Sequence, residues 1–187
     1  MEAHAARGLH LHSREHDRPS AATVVKIGAI AGLAGGIVMA MWQMIVGAIA
    51  QNPTAVPGIH QSFWTAVTAI PSVVFGPSWF HGSFDAGAVI VGLMAHMMNS
   101  IMFGILGVAL LTAVLGKRPG LLQTVVLGML FGLVLEVVIV NGLVNGVLQT
   151  AHTLSTATPT WSWWVAHAMF GAVMGLIAAA LLRRQHA

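Results

Sequence analysis

Four long apolar runs divide this chain, and its eight Lys and Arg residues fall only on alternate connections between them. Arg7, Arg14, Arg18 and Lys26 precede or open the first run. Lys117 and Arg118 separate the second from the third, and Arg183 and Arg184 follow the fourth. The stretches after the first and third runs carry neither residue. Basic residues flanking membrane spans are retained on the cytoplasmic side. The pattern therefore predicts an all-α integral membrane bundle of four transmembrane helices with both termini cytoplasmic. The expected spans are 24–50, 86–115, 121–148 and 162–182, each reaching the roughly 20 residues that cross a hydrocarbon core.

Composition excludes the main alternatives. With 57% hydrophobic and 7% charged residues, the chain is too apolar for a soluble domain. A pI near 10.7 would suit a nucleic-acid binder, but these basic residues flank spans instead of forming one surface, so no nucleic-acid partner is expected. The absence of Cys rules out disulfides, thiolate metal sites and Cys nucleophiles.

Residues 1–22 form a polar tail containing His4, His10, His12 and His16, and residues 23–187 form the membrane domain. The first apolar run is longer than the core of a secretory signal, so it is expected to be a retained span. In the outer loop, 51–85, Ile59, Phe63, Val67 and Ile70 share one helical face, with His60, Gln61, Ser62, Thr65 and Thr68 on the other. A short amphipathic helix ended by Pro71 is expected there, lying on the outer surface or capping the bundle. Trp64, Trp79, Trp161, Trp163 and Trp164 cluster near the same interface, as aromatic anchors do. The tight turn 116–120 predicts that the second and third helices are antiparallel neighbours.

Small residues recur every fourth position on each span: Gly28, Gly32 and Gly36; Gly92 and Gly104; Gly128 and Gly132; Gly171 and Gly175. Such stripes let helix backbones approach closely in lipid. The registers also repeat. Gly92, His96, Ser100 and Gly104 parallel Trp163, His167, Gly171 and Gly175, while Gly32, Gly36 and Ala40 parallel Gly128, Gly132 and Glu136. The chain reads as two tandem hairpins in the same orientation, an arrangement found in transporters and in simple duplications.

Polar groups from all four spans converge at one depth: Gln43, His96, Asn99, Glu136 and His167. An ionisable group in the hydrocarbon region costs about 2.5–3.5 kcal/mol or more unless protonated, paired or hydrated. Glu136 therefore calls for a proton or a partner. Four readings of this layer are open. His96, His167 and Glu136 can ligate a transition metal. The layer can relay protons or coordinate a transported ion. One or both His can ligate haem or another tetrapyrrole. Or the layer is a satisfied network that fixes helix register. Met94, Met98 and Met102 form a further stripe that suits either Cu(I) or adaptable packing.

Asn141, Asn145 and Gln149 make another polar row on the third span, and on an α-helix Asn145 falls nearly opposite Glu136. A row of amides toward lipid predicts a covering loop or a membrane-protein partner, including a second copy. No phosphate loop, nucleophile elbow or carboxylate pair is present to suggest catalysis. The leading expectation is a non-catalytic accessory membrane subunit, surrounded by lipid and packed against a larger complex. The alternative is a small ion, proton or metal transporter.

Gly32-Leu-Ala-Gly-Gly-Ile-Val-Met39, Gly76-Pro77, the Gly92, His96, Ser100, Gly104 row and Trp164-Val-Ala-His-Ala-Met-Phe-Gly171 resemble small bacterial four-helix membrane proteins, more loosely the YagU-like inner-membrane proteins. That resemblance covers about residues 27–182. It implies a bacterial cytoplasmic membrane location and brings no activity with it. Neither Glu136 nor the His-rich tail belongs to it.

Overall fold

The computed structural model describes residues 19–50, 60–116, 119–148 and 156–185. Its elements are α1 (Ala21–Ile49), α2 (Thr65–Phe75), a 3-10 turn (Pro77–Trp79), α3 (Ala86–Leu115), α4 (Leu121–Leu148) and α5 (Thr160–Arg184). Among the described residues there is no strand. α1, α3, α4 and α5 are each long and apolar enough to cross a membrane, which makes this a multi-pass helical bundle. Polar side chains fix two starts: Ser20 accepts from the Thr23 amide and Asp85 from the Ala88 amide. α3 stops at Gly116, whose φ of 73° lies where glycine is favoured.

The close packing follows the glycine rows. A Cβ at Gly28 or Gly32 would strike the backbone of α3 around Ser100 and Gly104, and one at Gly36 would strike the Ser100 side chain. In the second hairpin, Gly128 meets Gly171 and Gly175, and Gly132 meets the His167 carbonyl. Gly35, outside the predicted rows, brings α1 against Phe170 of α5 and so joins the hairpins. In lipid, van der Waals contact and not water exclusion holds helices together, so these approaches decide which helices adhere.

They also overturn one expectation. α1 packs on α3, α4 on α5 and α1 on α5, whereas α3 and α4, despite their short connection, meet only sparsely. The small-residue row of each is already used against its own hairpin partner. The four spans form an open ring in the order α3, α1, α5, α4. At the end where α3 and α4 are joined, Arg183 of α5 donates to the Pro119 carbonyl.

α2 corrects a second expectation: Pro71 lies inside the helix, which continues to Phe75. Proline removes the donor that would bond the Val67 carbonyl. That carbonyl instead lies against Gly92 of α3, where a side chain would collide with it. The polar side of α2 does not face water. Thr65, Thr68 and Ser72 are fully buried, and their hydroxyls donate to the carbonyls of Gly82, Trp64 and Ala69. α2 thus caps the bundle against α3 and α1. Trp163 departs from the anchor pattern, being 7% exposed in the core, while Trp161 and Trp164 remain exposed. Met94, Met98 and Met102 also lie on the exterior of α3, away from the polar layer.

Candidate functional site, a lateral cleft lined by two histidines

Where α3 and α4 fail to close, a cavity of about 240 Å³ opens between them. Val91, Ala95, Asn99 and Phe103 of α3 form one wall, and Leu135, Ile139, Val140 and Val144 of α4 the other. The end of α2, with Val74 and Phe75 exposed, makes a lip. The floor is built from Met39, Trp163, Phe170 and the two histidines His96 and His167.

Each histidine is locked by one ring nitrogen. His96 Nε2 lies 2.9 Å from the Gly36 carbonyl of α1. Because a carbonyl only accepts, Nε2 carries the hydrogen, and Nδ1 has no hydrogen-bond partner among the described residues. His167 Nδ1 lies 2.9 Å from the Trp163 carbonyl one turn back, and also 2.9 Å from Oε2 of Glu136. Its hydrogen points at the carbonyl, so Glu136 Oε2 lies close beside the ring without an aligned bond. His167 Nε2 is then the nitrogen left for the cleft. The result is an apolar chamber containing two oriented imidazoles and the Asn99 amide.

Glu136 is 1% exposed. Its other oxygen accepts from Asn141 Nδ2 at 3.2 Å, and Asn145 Nδ2 reaches Asn141 Oδ1 at 3.5 Å. The expectation that Glu136 and Asn145 occupy opposite faces is wrong because Glu136–Leu148 is wound as a π-helix. Bonding from i to i+5 brings residue 141 back over 136, and π segments are frequent at functional sites. The amide row is therefore a ladder along α4 that ends on Glu136, with Asn141 still exposed and Asn145 half-buried. Gln149 lies outside the described residues, as do the tail histidines.

Of the five layer residues, His96, Asn99 and His167 share the cleft, and Glu136 stands behind His167. Gln43 is set apart: its Oε1 accepts from Thr158 and Ser162 at 2.9 and 3.1 Å. Among the described residues no three His, Asp or Glu side chains form a metal-ligand group. The expected triad of His96, His167 and Glu136 is not assembled, because His167 turns the same nitrogen toward both Trp163 and Glu136 while His96 is tied to α1. Sequence reasoning missed Trp163 as a floor residue; its place one turn before His167 on the α5 row was the available signal. Thr158 and Ser162, which fix Gln43, carried no signal of their own.

Compared with protein-family models, curated proteins and solved structures, the chain matches none of them.

Proposed function

We propose that the protein is a non-catalytic accessory subunit of a bacterial cytoplasmic membrane, both termini cytoplasmic, that holds an apolar membrane-soluble molecule in the cleft between α3 and α4. The observation that carries this reading is the cleft itself, mostly apolar with a few oriented polar groups, as ligand pockets typically are. An ion pathway would call for a hydrated lining, and the apolar walls favour a hydrocarbon occupant instead.

A diazirine-bearing hydrocarbon without a polar head, photolysed with the full chain in nanodiscs, tests this. Any lipid-facing residue, such as the exposed Val137 and Val138, should be labelled. Labelling of Met39 and Phe170, which are buried yet line the cleft, is expected only if the probe enters it. Val140→Trp, which fills the cleft, should abolish it. Exterior labelling with none at Met39 or Phe170 would refute the reading.

A further inference from the structure

Behind the cleft lies a second cavity of about 30 Å³, sharing His96, Trp163, Met39 and Ile70 with it and adding Gln43. Its volume admits one water-sized group. Two buried donors on its lining have no acceptor among the described residues: Nε1 of Trp163 and Nε2 of Gln43. The indole nitrogen can only donate. Thr158 and Ser162 hold Oε1 of Gln43, which leaves its amide nitrogen as the group without a partner. Trp42, the other indole in this region, is satisfied by the Ser162 carbonyl, so the lack is particular to Trp163.

Unmatched buried donors are a standing cost in a membrane interior, where no water competes to relieve them. They specify what relieves them: an oxygen that accepts and need not donate. The adjoining cleft specifies the remainder, an apolar body. We infer that Trp163 and Gln43 form the head-group subsite of the cleft, and that its ligand is a long-chain molecule bearing a carbonyl-type oxygen, either a ketone or a carboxyl group. The oxygen enters the small cavity past His96, which forms part of both linings and is held in place by Gly36. The hydrocarbon body stays between α3 and α4. This assignment rests on the cleft reading above.

Competition against the diazirine hydrocarbon at Phe170 tests it, using the full chain in nanodiscs. The competitors are a decyl-substituted benzoquinone, oleic acid and heptadecene, which lacks oxygen. At least one oxygen-bearing competitor should displace the probe at a lower concentration than heptadecene. Trp163→Phe keeps a ring and deletes the donor, and should weaken that competitor roughly 3- to 10-fold, the worth of one hydrogen bond, while leaving heptadecene unchanged. Gln43→Met should act in the same direction. Which competitor shows the Trp163 dependence identifies a ketone or a carboxyl ligand. If all three compete equally, or Trp163→Phe alters none of them, the small cavity holds only a structural water and the inference fails, while labelling at Phe170 still upholds the cleft.

Discussion

Oε2 of Glu136 and Nδ1 of His167 stand 2.9 Å apart where α4 meets α5, yet the hydrogen on that nitrogen goes to the Trp163 carbonyl. The one acid inside the described spans thus has an imidazole beside one oxygen and an Asn141 hydrogen bond on the other. Both neighbours keep a main-chain acceptor without it, since Asn141 Nδ2 also reaches the Glu136 carbonyl at 3.2 Å.

That redundancy sets the expected cost of removing the carboxylate. Because His167 and Asn141 each keep a main-chain acceptor, Glu136→Leu orphans no donor and should cost about 1 kcal/mol in detergent unfolding, the worth of the one side-chain hydrogen bond lost. A loss of about 3 kcal/mol or more would mean that the carboxylate itself secures the α4–α5 seam.

The glycine rows should be far less tolerant. Even a methyl group at Gly32 or Gly132 meets backbone of the facing helix, at Ser100 and His167 respectively. Gly32→Ala and Gly132→Ala should each lose about 1–3 kcal/mol by overpacking. Gly87 is exposed and its added Cβ would find only ordinary contact, so Gly87→Ala should be neutral or stabilising by up to about 1 kcal/mol. Thermal unfolding of the three variants ranks them, and equal losses would remove close backbone approach as the basis of packing.

Topology can be read without background because the chain has no Cys. Ser78, beside α2, and Gln185, after α5, are both exposed. In intact cells an impermeant maleimide should modify Ser78→Cys and spare Gln185→Cys until the membrane is opened. The reverse pattern would invert the proposed orientation.

The tandem repeat shows how far the residues spoke for themselves. Gly36 against His96 and Ser100 in the first hairpin matches Gly132 against His167 and Gly171 in the second. The registers were legible because close backbone approach in lipid demands small residues at fixed spacing. The repeat breaks at Gly92 and Trp163, at Ser100 and Gly171, and at Ala40 and Glu136. His96 crosses to the Gly36 carbonyl, while His167 turns back to Trp163 beside Glu136.

Sequence alone determined the four apolar helices, their glycine rows and the set of polar residues at one depth, because hydropathy, length and i, i+4 spacing are local properties of the chain. Tertiary structure decided that α3 and α4 part in spite of their short turn, since each spends its small-residue row on another helix. It decided that α2 runs through Pro71, because Gly92 gives the freed Val67 carbonyl a place to lie. It wound Glu136–Leu148 as a π-helix and so brought Asn141 to Glu136, a contact that α-helical counting excludes. And it left Trp163 and Gln43 each with a donor unmatched beside one cavity. Which groups lack partners depends on every element around them, and no single stretch of sequence contains that information.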